Sequence, residues 1–135
     1  MDVKITAFAK ALQGLAELTA LDLHALANTL DARIIDGLEN GKAQQFENTM
    51  ELCWKAIKVT LREREGIDEA SPKKVIKAWY LTGHVSGDDY VGLIQAVDDS
   101  NKLSHVYDQQ QFNTIIARLP NYAALLTRLL ATLAQ

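Results

Sequence analysis

The stretch QQFENTMELCWKAIKVTLRERE, residues 44–65, indicates the fold class of this chain most directly. Its apolar residues recur at helical intervals and share one face; they are Phe46, Met50, Cys53, Trp54, Ile57 and Leu61. Glu51 stands four residues before Lys55, the order in which a helical ion pair is favourable. Gly66 follows, as a glycine often does where a helix ends. The stretch therefore predicts a long amphipathic helix.

Helical spacing continues upstream, although less regularly. A first helix is predicted by the spacing of Ile5, Phe8, Leu12 and Leu15. A second helical piece is indicated by Leu23, Leu26 and Leu30. The residues Gly37, Asn40 and Gly41 then predict a break or a kink before the long helix.

Downstream, capping residues mark further helix starts. The pairs are Ser71 with Pro72, Ser86 with Asp89, and Asp108 with Gln111. Pro120 falls inside the last helical pattern, so we expect a kink or an interruption there. No alternating strand pattern is present. We therefore expect an all-α protein, with residues 1–135 forming a single domain. Its predicted architecture is an antiparallel up-and-down bundle of four main helices, with room for a fifth piece.

Composition excludes several classes of protein. The chain carries 14 basic and 17 acidic residues, a formal net charge of −3, which argues against a general polyanion binder. Cys53 is the single cysteine and lies on an apolar stripe, so we expect a buried thiol and no disulfide. We expect no secretion signal and no membrane-spanning stretch, which favours a cytoplasmic location without a membrane partner. Glycine-rich phosphate loops and zinc-protease motifs are absent, so we expect no cofactor and no metal.

Two further features allow more than one interpretation. Half of the basic residues fall between positions 55 and 77: Lys55, Lys58, Arg62, Arg64, Lys73, Lys74 and Lys77. They could bind an acidic partner or phosphates, or form a solvated face of mixed charge. The last helix has a wide apolar arc of leucines and alanines, which predicts burial against a second copy and hence a homodimer.

The junction between the last two predicted helices is the candidate site. Residues 98–108, DDSNKLSHVYD, bring carboxylates, an amide, a hydroxyl, an imidazole and a phenol into one short segment. Groups this polar are costly to bury unless they are paired. The segment is either an exposed loop with helix caps or a site in which His105 serves as an acid or base near neutral pH.

The same segment resembles a known family. SNKLSHVYD, residues 100–108, is similar to the Arg-Asn-x-x-Ser-His-x-Tyr-Asp signature of the nucleotidyltransferase substrate-binding proteins, a branch of the HEPN superfamily. Phe46-Glu47 followed by Glu51-Leu52-Cys53-Trp54-Lys55 resembles a second motif of that family. Residues 71–76, SPKKVI, resemble a third. The resemblance covers approximately residues 31–133.

The resemblance implies a helical bundle like the accessory domain of aminoglycoside nucleotidyltransferases. Such proteins dimerise and work beside a separately encoded minimal nucleotidyltransferase. Some members are ribonuclease toxins that use an Arg-x4-His motif, and the partner silences them by adding AMP to a tyrosine. Carried over to this sequence, the substrate-binding positions are Asn101, Ser104, His105, Tyr107 and Asp108. Tyr107 matches the modified tyrosine, and His105 would be catalytic only in a ribonuclease.

The family arginine does not carry over, because Ser100 stands in its place. A serine lacks the charge with which a guanidinium stabilises a phosphate in RNA cleavage. We therefore expect a non-catalytic substrate-binding subunit that pairs with a minimal nucleotidyltransferase and holds a nucleotide or a small acceptor. One alternative is a HEPN-type ribonuclease toxin of a toxin-antitoxin pair, and only this alternative makes RNA a partner. A second alternative is a dimeric interaction module without a ligand site.

Overall fold

The computed structural model describes residues 2–105 and 108–135. The described chain is all-α, as predicted, and contains no strand. The helices are α1 Val3–Thr19, α2 Leu23–Leu26, α3 Ala32–Glu65, α4 Pro72–Leu81, α5 Gly87–Leu103 and α6 Gln109–Leu133. Four of them are long, α4 is a shorter fifth helix, and α2 is a single turn. Within the described ranges, no helix has the length and apolar character needed to cross a membrane.

Helix α3 is the centre of the bundle. It runs for 34 residues and packs against α1, α4, α5 and α6. Its apolar stripe is buried except for Trp54, which is half-buried, and Phe46, Cys53 and Ile57 have no exposed surface. The ring of Phe46 stacks on that of Tyr122 in α6, with ring centroids 5.3 Å apart. The sequence-based prediction of a long amphipathic helix and a buried cysteine is confirmed.

The predicted break before this helix is wrong. Helix α3 begins after Asp31, which caps Arg33 N, and continues without interruption through Gly37, Asn40 and Gly41. A glycine within a helix costs only about 1 kcal/mol relative to alanine. Buried packing of the turns that follow, from Lys42 onward, offsets that cost.

Helix direction alternates as expected, except at α4. The loop of residues 66–71 turns back along α3. Two contacts show this, since Lys58 Nζ lies 3.1 Å from Asp68 Oδ1 and 2.7 Å from the backbone oxygen of Glu69. Pro72, at the start of α4, therefore lies beside the middle of α3, near Trp54. Helix α4 thus runs in the same direction as α3, and α5 returns antiparallel to both.

The helix starts follow the capping residues only in part. Ser86 accepts a hydrogen bond from Asp89 N, as its spacing predicts. Asp108 caps Gln110 N, one residue earlier than the predicted pairing with Gln111. Ser71 occupies the cap position of α4, with proline following, but its side chain makes no cap hydrogen bond.

The sequence predicts a kink or an interruption at Pro120, and the interruption is wrong, because α6 continues through this residue. The proline faces solvent, where water can satisfy the carbonyl that loses its amide partner. Residues on both sides of it, Leu119 and Tyr122, are buried, and their packing holds the helix together. The wide apolar arc of α6 is also used within the chain, since α6 packs against α1, α3 and α5.

Candidate functional site

The predicted site residues lie where α5 ends and α6 begins. Asn101 belongs to the last turn of α5, and Ser104 and His105 follow it directly. The His105 amide donates to the Lys102 oxygen at 2.9 Å, which extends the helical turn to the histidine. Asp108 caps the start of α6. Tyr107, the predicted modification target, lies outside the described residues.

Three adjoining pockets surround this junction. The first, which we call the α3–α5 cleft, has a volume of about 170 Å³. Its lining consists of Glu47, Met50, Glu51, Trp54, Pro72, Val97, Ser100, Asn101 and Ser104. Asn101 and Ser104, which the sequence assigned to one site, therefore share this cleft. Its other wall comes from α3 and from the first residue of α4.

The second pocket, the histidine pocket, has a volume of about 370 Å³. It is lined by Asp98, Asn101, Lys102, His105 and Gln111. Asn101 belongs to both pockets, so the amide lies between the cleft and the imidazole. The structure thus brings Asn101 close to Ser104 on one side and to His105 on the other.

The third pocket, the α5–α6 pocket, has a volume of about 420 Å³ and contains Asp108. The remaining lining residues are Asp99, Lys102, Gln110, Gln111, Thr114, Ile115 and Arg118. It shares Lys102 and Gln111 with the histidine pocket. Asp108 therefore lies in a different pocket from Ser104. The described predicted residues line three adjoining pockets, which we together call the groove, rather than one compact site.

Beneath the groove, the buried carboxylate of Asp99 in α5 is hydrogen-bonded to two residues of α6. Asp99 is only 1 % exposed, and both of its oxygens accept hydrogen bonds from Arg118 Nη1, at 3.1 and 2.9 Å. The Tyr122 hydroxyl donates to Asp99 Oδ2 at 2.5 Å. Burial and the neighbouring carboxylate raise the pKa of Tyr122, and the bond to Asp99 raises the pKa of Arg118. This network ties α5 to α6 directly beneath the candidate residues.

The contacts of Arg118 and Tyr122 with Asp99 were not predicted from the sequence. A signal for the network was nevertheless present in α5. Asp99 follows Leu93 and Ala96 at helical intervals, which puts a carboxylate on the buried face. A carboxylate at such a position requires a partner on another helix.

The carboxylates of the cleft wall have unequal surroundings. Glu51 accepts a hydrogen bond from Trp54 Nε1 at 3.0 Å and pairs with Lys55 Nζ at 2.9 Å. These two contacts lower the pKa of Glu51. Burial raises the pKa of Glu47, one turn earlier. The Ser100 hydroxyl donates to Val97 O at 3.0 Å and is thereby committed to its own helix.

The basic cluster at 55–77 is largely paired within the chain. Lys55 bonds Glu51, and Lys58 and Arg62 both contact Asp68. Arg64 donates to three backbone oxygens at the end of α6, and Lys73 pairs with Asp98 at 2.6 Å. These pairings support the interpretation of a mixed-charge face. Among the described residues, no group of three His, Cys, Asp or Glu side chains could hold a metal ion.

Fold and site together define a class: an α-helical bundle that carries a polar binding groove at a helix junction. A protein-family model described as "nucleotidyltransferase substrate binding protein like" matches residues 3–135. The chain belongs to this family.

Solved structures share this fold. A protein from Thermus thermophilus shares 32 % sequence identity over 95 % of this chain and 99 % of its own, with a TM-score of 0.81. A protein from Haemophilus influenzae, described as revealing the fold of a substrate-binding domain of a nucleotidyltransferase, is also similar. Its identity is 19 %, its TM-score is 0.78, and the match covers 97 % of this chain and 99 % of that one. No curated protein shows significant sequence similarity.

Proposed function

We propose that this chain is the non-catalytic, substrate-binding subunit of a nucleotidyltransferase and pairs with a separately encoded minimal nucleotidyltransferase. The observation that carries the proposal is the groove around Asn101, Ser104 and His105 in a chain whose family match spans residues 3–135. The fold shared with the Haemophilus influenzae substrate-binding domain supports it. In this proposal residues 1–135 form one domain, and the protein acts in the cytoplasm.

The groove offers the means to orient an acceptor. The Asn101 amide can donate and accept hydrogen bonds, and the Ser104 hydroxyl and the His105 ring nitrogens can do the same. Asp108 offers a carboxylate in the α5–α6 pocket. Holding the acceptor in a fixed orientation removes much of the entropic cost of a two-substrate reaction, and that is the contribution expected of a binding subunit. The partner would supply the nucleotide and the transfer chemistry.

Co-expression with a minimal nucleotidyltransferase encoded beside it tests the pairing. We expect the two chains to co-purify and to elute together in size-exclusion chromatography. Asn101→Ala and His105→Ala are expected to leave the complex intact but to weaken acceptor binding. Asn121→Ala, on the exposed surface of α6, is the matched control for Asn101→Ala. Failure of the chains to associate at any salt concentration would contradict the proposal.

A HEPN-type ribonuclease toxin is the competing function. The observation in its favour is that His105 and Asn101 line one pocket together with the cation Lys102. The observation against it is Ser100, which supplies no guanidinium. An RNA-cleavage assay distinguishes the two functions. Total RNA and tRNA are incubated separately with the wild type, with His105→Ala and with Ser100→Arg. We expect no cleavage by the wild type, and cleavage that His105→Ala abolishes would establish the ribonuclease instead.

Modification of Tyr107 belongs to the toxin-antitoxin version of this proposal. If the partner silences the chain, co-expression adds the mass of AMP at Tyr107, which intact-mass spectrometry detects. A third function, an interaction module without a ligand site, predicts that His105→Ala changes neither ligand binding nor partner activity.

A further inference from the structure

The α3–α5 cleft has an unusual charge composition. Its walls carry two carboxylates, Glu47 and Glu51, and among the described residues its lining contains no lysine, arginine or histidine. The volume of about 170 Å³ is below the roughly 300 Å³ at which pockets for whole drug-sized ligands begin. The cleft can therefore hold a small head group rather than a whole drug-sized ligand.

The negative charge in the cleft is only partly compensated. The charge of Glu51 is compensated by Lys55, whose Nζ lies 2.9 Å from Glu51 Oε1. Glu47 has no hydrogen-bond or ion-pair partner among the described residues. Its partial burial raises the pKa of its carboxyl group, because fewer water molecules solvate the ionised form. A cation placed in the cleft would remove this penalty.

The other residues that line the cleft also favour a cationic ligand. Trp54 lines the cleft, and an indole face attracts ammonium and guanidinium groups. The side chains of Asn101 and Ser104 have oxygens that accept hydrogen bonds from N–H donors, and neither has a partner among the described residues. Met50 and Val97 give the floor of the cleft an apolar character that suits an alkyl stem.

We propose that the α3–α5 cleft binds the cationic head of the acceptor substrate, an alkylammonium or guanidinium group, with Glu47 as its main counter-charge. This inference rests on the proposed function, because it names the class of acceptor that the substrate-binding chain holds. The acceptor's reacting group would then extend past Asn101 toward the histidine pocket. The cleft can be tested without the partner, so failure of this inference and failure of the pairing are distinguishable.

The test is a titration of the ¹⁵N-labelled chain with 1,4-diaminobutane, followed by amide NMR at physiological ionic strength. We expect saturable shifts at the Trp54 indole N–H and at the amides of Ser100, Asn101 and Ser104. The uncharged analogue 1,4-butanediol has the same length and should produce no shifts at these positions. Equal shifts with the diol would overturn the proposal, since charge would then not be recognised.

Glu47→Gln supplies the charge test. The amide keeps the size of the side chain but removes the counter-charge, and we expect affinity for the diamine to fall by about tenfold. Glu63→Gln is the matched control, because Glu63 is exposed on the same helix and its change alters net charge equally. Undiminished binding by Glu47→Gln, or an equal loss with Glu63→Gln, would overturn the proposal. The amide spectrum of each variant reports its folding directly.

Discussion

Asp99 is a buried carboxylate beside the groove and accepts hydrogen bonds from Arg118 and Tyr122. Its side chain is 2 % exposed, whereas that of its neighbour Asp98 is 45 % exposed and pairs with Lys73 at the surface. Buried hydrogen bonds to a charged group contribute more to stability than exposed ion pairs do. These adjacent aspartates therefore give a matched comparison within a single helical turn.

Asp99→Asn is expected to lower the free energy of unfolding by about 2–3 kcal/mol, because the amide turns N–H donors toward the Arg118 guanidinium. Asp98→Asn should cost less than about 1 kcal/mol. Urea denaturation of both variants measures the difference. Similar losses for the two variants would show that the Asp99 network contributes no more than a surface pair.

Tyr122 should make stability depend on alkaline pH. Burial and the Asp99 contact raise its pKa above the ordinary value of 10.0, so the folded chain retains the phenol proton where the unfolded chain loses it. The stabilising contribution is full below about pH 10 and declines as the pH rises further. The stability advantage of the wild type over Tyr122→Phe should therefore shrink between about pH 9 and about pH 11. Urea titrations at both values measure it, and a constant advantage would contradict this expectation.

Only the part of the candidate site that lies at the end of α5 could be predicted from the sequence. Asn101, Ser104 and His105 stand close together in the chain, so their polar density is visible in a short window. Glu47 and Trp54 reach the same cleft from another helix, and Arg118 reaches Asp99 from a third. Such pairings depend on how helices pack, and no local spacing encodes them.

At the scale of elements, Arg64 joins the ends of two helices. Its guanidinium donates to the backbone oxygens of Thr132, Leu133 and Gln135 at 2.7–2.9 Å. A helix leaves its last carbonyls unpaired and carries a partial negative charge there, so a cation at this end satisfies both needs. The contact also lies beside Trp79, whose ring centroid is 5.9 Å from the guanidinium carbon.

Arg64→Met should fray the last turn of α6 and lower the free energy of unfolding by about 0.5–1 kcal/mol. Amide hydrogen exchange would locate the effect at residues 130–135. Arg62→Met, which removes an exposed partner of Asp68, is the matched control and should leave exchange there unchanged. Equal exchange in both variants would exclude a capping role for Arg64.

The helical glycines differ in the space around them. A methyl group at Gly37 would meet nothing within 4 Å, whereas one at Gly92 would lie 3.0 Å from Leu125 Cδ2. Gly37→Ala should therefore stabilise the chain by about 0.5–1 kcal/mol through helix propensity alone. Gly92→Ala should stabilise the chain less, or destabilise it, because α5 and α6 approach closely at that point. Thermal unfolding of the two variants tests this order.

The helices themselves could be predicted, but their continuity could not. Periodicity identified the long helices correctly because each has an apolar face against the core. Neither Gly37 nor Pro120 interrupts its helix, because the local preference of each residue is outweighed by packing of the neighbouring turns. The parallel course of α4 requires residues 66–71 to turn back along α3, where Lys58 contacts residues 68 and 69, and no local spacing encodes this return.

At the scale of the whole molecule, we expect a homodimer, as the family resemblance implies. The basis differs from the one that the sequence suggested, because the leucines of α6 are buried within the chain itself. Light scattering at micromolar concentration should give twice the mass of one chain, and a monomer mass would contradict this expectation.

The stacking of Phe46 on Tyr122 also has a consequence for biosynthesis. A ribosome makes α1 to α5 before it makes the helix that covers Phe46. Until α6 has emerged from the exit tunnel, that face of the central helix meets water. We therefore expect a chain cut short before α6 to expose the buried face of α3 and to be prone to aggregation.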